Sequence, residues 1–279
     1  MSADEPPRSR SARAAAERAL IRVVHHYGSR PEFVVLGGLV PALLCSKSGV
    51  EHAGTTDVDV QVDLEIAAGA VNGARLEQAL LNAEFEPDTE RVWRWTADGP
   101  SPRAVVKFEM LADLADQPAE AIVTFDGADR LGAINLRGTG FAARDIEVRT
   151  LTHRHQGVVQ TAEINVTGLA GYLLAKTSAA RSRRLPKDWY DLAYVLIHND
   201  EGGPGAAADT VRARFGTELV NEVRTALDDL LANFADPDAQ GPTAYKSQMA
   251  IDAPDLDEST TAADAVVAVD VFHQSLFEH

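Results

Sequence analysis

VVLGGLVPALLCSKSGVEHAGTTDVDVQVDL, residues 34–64, decides the fold of this chain. Phe33–Leu36 is an aromatic and β-branched run, the composition of a buried strand. Gly37-Gly38 follows at once and lets the backbone turn sharply and approach a ligand closely. Leu39–Cys45 is apolar enough for a buried helix. A glycine turn feeding a helix start presents backbone N–H groups to an anion. The same residues also fit a plain strand-to-helix turn with no ligand.

Asp57-Val58-Asp59-Val60-Gln61-Val62 alternates polar and apolar residues, the period of a half-buried strand. Val58, Val60 and Val62 point to the core and the two aspartates to the opposite face. Two strand rises set their Cβ atoms roughly 7 Å apart. Like charges so placed must be relieved by solvent or by a cation. An exposed sheet face satisfies that requirement. So does Mg²⁺, which takes one or two carboxylates together with substrate phosphates.

Downstream, Arg103–Leu111 reads as a strand whose alternation sets Val105, Lys107, Glu109 and Leu111 on one face. A charged pair in so apolar a strand needs a polar neighbour, and a cross-strand salt bridge at a sheet edge would supply it. Thr167–Arg184 reads as a helix with Leu169, Leu173 and Leu174 as its apolar stripe. Lys176 lies near that stripe, so it must snorkel out or meet an anion. Pro186 ends the helix and starts another, with Asp188 and Asp191 near a first turn where the helix dipole favours carboxylates. The turn at Pro186 makes either acid the natural partner of Lys176 in the empty protein. A catalytic Lys176 is expected to tolerate Lys176→Ala with the fold nearly intact.

A Gly-Gly turn, a short helix and Thr56-Asp57-Val58-Asp59 together resemble the nucleotidyltransferases of the DNA-polymerase-β-like superfamily. The pattern is most similar to the AbiEii/AbiGii toxin group, which includes the MenT toxins, and it covers roughly residues 30 to 200. A helix lysine, an arginine a few residues on and a (Lys/Arg)-Asp-x-x-Asp-Leu helix start belong to that group's pattern. Lys176, Arg181 and Lys187-Asp188-Trp189-Tyr190-Asp191-Leu192 match it. The resemblance implies two Mg²⁺ ions on Asp57 and Asp59, with Glu109 as third ligand where the superfamily usually has Asp. It implies an NTP on Gly37, Gly38, Thr56, Lys176, Arg181 and Lys187, and catalytic roles for Asp57, Asp59, Glu109, Lys176, Asp188 and Asp191. The implied reaction moves an NMP from the NTP to a hydroxyl. The implied setting is a toxin–antitoxin pair, with tRNA as acceptor and a cognate antitoxin as partner. A protein hydroxyl as acceptor, or an inactive nucleotidyltransferase fold serving as an interaction protein, are the competing readings.

The chain has 279 residues and a net charge of −16, which argues against non-specific nucleic-acid binding. The charge is segregated. From Gly216 on there are thirteen acidic and two basic residues, a balance of −11, whereas residues 151–190 hold six basic and two acidic, a balance of +4. A single cysteine, Cys45, fits a reducing compartment. With no apolar run long enough to span a bilayer and no signal-peptide pattern, the expected location is cytoplasmic. The expected organisation is a disordered tail (1–10), an α/β nucleotidyltransferase-like domain with a mixed sheet (11–166) and a helical domain (167–279).

Overall fold

The computed structural model describes residues 9–99, 105–155 and 157–277. In chain order the elements are α1 (Arg10–Tyr27), β1 (Val34–Leu36), a 3-10 turn (Gly37–Leu39), α2 (Pro41–Leu44), β2 (Asp57–Gln61), α3 (Asp63–Ala67) and α4 (Ala70–Asn82). Then come β3 (Glu86–Pro87), β4 (Arg94–Asp98), β5 (Val105–Ala112), β6 (Ile122–Thr124), β7 (Gly132–Asn135), a 3-10 segment (Thr139–Arg144), β8 (Ile146–His155) and β9 (Val158–Thr167). Helices complete the chain: α5 (Leu169–Arg183), α6 (Pro186–His198), α7 (Pro204–Phe215), α8 (Asn221–Ala232), α9 (Gln240–Asp252) and α10 (Glu258–Phe277).

The chain divides into two units, residues 1–40 with 53–167 and residues 41–52 with 168–279. The short segment 41–52, read from sequence as part of the first domain, thus counts with the helices. Residues 1–8 of the expected tail lie outside the described residues. Ser9 and Arg10 are already ordered, because the Ser9 hydroxyl caps α1 by accepting from the Ala12 N–H at 3.2 Å.

The first unit is a mixed α/β layer. Its sheet runs β3-β4-β5-β2-β1-β9-β8, with β7 pairing β5 and β6. β2 is antiparallel to β1 and parallel to β5, and β9 is parallel to β1. The valines of β2 explain its central place: Val58 and Val60 are fully buried while Asp57 and Asp59 on the other face are not. α1 packs against α4, β8 and β9, burying an alanine-rich face with Leu20, Val23 and Val24. The 3-10 segment Thr139–Arg144 packs against β1, β2 and β9.

The expected strand over 103–111 is β5; residues 103 and 104 lie outside the described residues. The expected helix over Leu39–Cys45 is reduced to a 3-10 turn and the four-residue α2. Pro41 has no backbone N–H to continue a helical ladder from the glycines, so it starts a new element.

The second unit is all helical. α6 packs against α9, α10 and α2, and α5 packs against α7 and α8. Trp189, Tyr190, Leu192, Tyr194, Val195 and Leu196 of α6 are buried, so this helix is apolar nearly all round. Such a helix belongs at the centre of its unit. Among the described residues no helix is long and apolar enough to cross a membrane.

Candidate active site

Parallel pairing of β2 with β5 sets Asp57 opposite Lys107 and Asp59 opposite Glu109. Antiparallel pairing of β4 with β5 sets Arg94 opposite Glu109 and Thr96 opposite Lys107. The alternation of burial is in phase across the three strands, so Asp57, Asp59, Lys107, Glu109, Arg94 and Thr96 share one half-buried face. The sheet thus carries three acids and two bases side by side. The Lys107 ammonium lies 3.6 Å from Asp57 Oδ1. Arg94 Nε donates to Glu109 Oε1 at 2.5 Å, and Arg94 Nη2 also contacts that oxygen. Lys107 and Arg94 were not singled out as site residues by the sequence. The anticipated cross-strand salt bridge is the Arg94–Glu109 pair, but β5 is not the expected edge strand: it lies inside the sheet between β4 and β2.

Asp59 has a second neighbour, the glycine turn. Gly37 has φ +75°, and a Cβ built on it would fall 1.9 Å from Asp59 Oδ2 and 2.7 Å from its Cγ. The aspartate therefore rests directly on the backbone of the turn, where only glycine fits. At Gly38 a Cβ would lie 2.9 Å from Thr55 Cγ2. The Thr55 hydroxyl in turn accepts from the Asp57 N–H at 3.0 Å. Thr56 is buried, and its carbonyl accepts the Lys107 N–H at 3.2 Å, extending the β2–β5 ladder. The two glycines are needed because the residues around the acidic strand close onto them.

Asp57 and Asp59 share one half-buried face of β2 and offer the hard oxygen donors that a divalent cation takes. Asp57 Oδ1 is buried and accepts no hydrogen bond, which leaves it available to a hard cation. Among the described residues no three His, Cys, Asp or Glu side chains gather in a way that could hold a metal ion. Glu109 stands in register beside Asp59, but its carboxylate is engaged by Arg94.

In the helical unit Lys176 meets both candidate partners. Its Nζ lies 2.8 Å from Asp188 Oδ1 and 2.7 Å from Asp191 Oδ2, with the lysine side chain 6% exposed and the acids at 0% and 1%. Arg183 holds Asp188 through both Nε and Nη2, at 2.7 and 2.8 Å. His52 Nε2 lies 2.9 Å from Asp191 Oδ1, and a carboxylate acceptor makes that nitrogen the protonated one. The His52 ring stacks on Tyr190 at 5.1 Å and meets Tyr194 edge-on at 4.9 Å. Burial alone would raise the Asp188 carboxyl, but the Lys176 charge and the Arg183 hydrogen bonds outweigh it and hold it below the usual carboxylate range.

Arg181 is exposed on α5 and stands apart from this cluster, while Lys187 is half-buried at the start of α6. The helix period explains why Arg183, and not Arg181, joins the Lys176–Asp188 cluster. Seven residues, or two turns, put Arg183 on the face of Lys176, whereas five residues turn Arg181 well away from it. His52 gave no sequence signal, being a lone histidine in an irregular segment.

No protein-family model matches the sequence. No curated protein matches it either. Among solved structures the chain is similar to one described as a "putative nucleotidyltransferase from H. pylori", at 14% identity and a TM-score of 0.44, over 95% of this chain and 96% of that one.

Proposed function

We propose that the chain is a nucleotidyltransferase that moves an NMP from an NTP to a hydroxyl acceptor with the help of Mg²⁺. The observation that carries this reading is the seat of Asp59 against Gly37, with Asp57 beside it on the same face. It joins an acidic pair suited to Mg²⁺ and a glycine turn suited to phosphate in one small region. Asp57 and Asp59 would hold the metal. Two such ions serve the attacking and leaving oxygens of an in-line phosphoryl displacement.

The chain's own residues would do the rest. Gly37 and Gly38 let the triphosphate approach the backbone, with Thr56 supporting the strand beside them. The acceptor oxygen forms a bond to the α-phosphorus, the bond to the β-phosphate oxygen breaks, and pyrophosphate leaves. Glu109, once released from Arg94, would complete the acidic set and take the hydroxyl proton. The resemblance gives phosphate contacts to Lys176, Arg181 and Lys187; within its own unit the Lys176 ammonium is held by Asp188 and Asp191.

The resemblance to the AbiEii/AbiGii group extends the reading to a toxin with a cognate antitoxin and a tRNA acceptor. The positive balance of residues 151–190, against the acid of the C-terminal helices, favours a phosphate-bearing acceptor over a protein hydroxyl. One observation favours the interaction-protein reading instead: Asp57 and Glu109 each have a cation beside them, as on an ordinary charged sheet. Thermal unfolding separates the two. The nucleotidyltransferase is expected to melt higher with an NTP mixture plus Mg²⁺ than with the NTPs alone, and Asp59→Asn to lose that increment. Equal melting with and without Mg²⁺ supports the interaction protein.

A further inference from the structure

The face that carries Asp57 and Asp59 has a built-in competitor for the metal. Lys107 shares the β2–β5 ladder with Asp57, and its ammonium stands 3.6 Å from Oδ1. That separation neutralises charge without making a hydrogen bond. Asp57 Oδ1 accordingly remains a buried acceptor with no hydrogen bond. The contrast with the neighbouring pair is direct: Glu109 is hydrogen-bonded by its arginine, Asp57 only faces its lysine. Both side chains of the looser pair keep partial access to solvent, 20% for Lys107 and 16% for Asp57. The ammonium therefore has somewhere to go, and its stem of four methylenes gives it the reach.

We infer that Lys107 is a stand-in counter-ion which a divalent cation displaces from Asp57, and that the released ammonium then binds the triphosphate of the incoming nucleotide. This rests on the proposed nucleotidyl transfer and adds a residue and a binding order to it. The same oxygen cannot be coordinated by a divalent ion and crowded by an ammonium. Once the metal neutralises Asp57, Lys107 is an uncompensated cation on the face where phosphate arrives, and polyphosphate is the anion that relieves it. Metal and nucleotide binding are then linked through one side chain. By reciprocity, each raises the affinity for the other.

The test uses Mn²⁺ and inorganic triphosphate as probes, so that no particular base and no turnover are needed. Free Mn²⁺ is followed by electron paramagnetic resonance, and triphosphate binding is measured by calorimetry with and without Mn²⁺. For Lys107→Met we expect Mn²⁺ to bind about tenfold more tightly than to the wild type, because the competing charge is gone. Triphosphate in the presence of Mn²⁺ is expected to bind about tenfold more weakly, the scale of one charge-assisted contact. Lys107→Gln, which keeps a polar end, gives the same pair of shifts if Lys107→Met fails to fold. Unchanged or weaker Mn²⁺ binding in both variants, with wild-type binding intact, overturns this inference alone. So does unchanged triphosphate binding. A wild-type protein that binds no Mn²⁺, or whose Mn²⁺ binding survives Asp59→Asn, overturns the nucleotidyltransferase reading and this inference with it.

Discussion

A side chain on Gly37 and the carboxylate of Asp59 cannot both stand where they are. The backbone there is left-handed at φ +75°, and the missing Cβ would lie 1.9 Å from Asp59 Oδ2, deep inside van der Waals contact. Gly37→Ala is therefore expected to cost about 1–3 kcal/mol in urea denaturation, the scale of a strained backbone position, and to push Asp59 off its seat. Gly38 has no such backbone constraint, so Gly38→Ala is expected to cost less. The opposite order would mean that the turn, and not its fit to Asp59, sets the requirement. Lys176 also reads differently once its surroundings are known. The catalytic reading of Lys176 implied that truncation to alanine would leave the fold nearly intact. Buried between two carboxylates, it is instead their counter-ion. Lys176→Ala or Lys176→Met is expected to lose about 3–5 kcal/mol, as when one partner of a buried pair is removed. Lys176→Arg, which keeps the charge, is the variant in which to measure nucleotidyl transfer.

At the scale of elements, α5 and α6 are joined through Asp188, which takes Lys176 and Arg183 from the preceding helix. Its carboxyl is held below the usual value of 3.8, so the native state favours the ionised form. The stability this gives is fully present above the unfolded value and is lost as pH falls through the folded one. Asp188→Asn is expected to flatten the acid limb of the stability profile below about pH 4. A limb as steep as in the wild type would place the acid sensitivity elsewhere. The segment 41–52 is tied to the helices in a comparable way. Asp200 accepts from the Ser46 hydroxyl at 2.6 Å and from the Lys47 N–H at 2.9 Å, and the Tyr194 hydroxyl donates to the Val50 carbonyl at 2.6 Å. Asp200→Ala is expected to speed amide exchange at Ser46 and Lys47 while leaving α6 protected. These ties explain what the sequence could and could not tell. The alternation of β2 and β5 was legible because one buried face imposes a strict period of two. The attachment of segment 41–52 was not, since it depends on Asp200, Asp191 and Tyr194, more than a hundred residues away in the chain. Arg183 was within reach of helix geometry, but His52 has no periodic pattern to mark it.

For the molecule as a whole, charge is the property most easily read and most consequential. A net −16 with its acid gathered after Gly216 leaves the cations for any RNA acceptor on the rest of the chain. Reversing Arg183 or Arg184 is a poor probe of that acceptor, because those residues hold Asp188 and Asp229. Arg181 is exposed and suits the purpose better. If tRNA docks near α5, Arg181→Glu is expected to weaken its binding and lower the salt slope by about one phosphate, near 0.7–0.9 in log–log terms. The central claim is the transfer itself. Wild type and Asp59→Asn are incubated with Mg²⁺ and each α-³²P-labelled NTP in turn, with total tRNA in one series and cell-extract protein in another. Label is expected to reach an acceptor in the wild type and to fall at least about a hundredfold in Asp59→Asn, the scale of losing one charge-stabilising group. No label from any NTP in either series, or equal label with Asp59→Asn, would contradict the account.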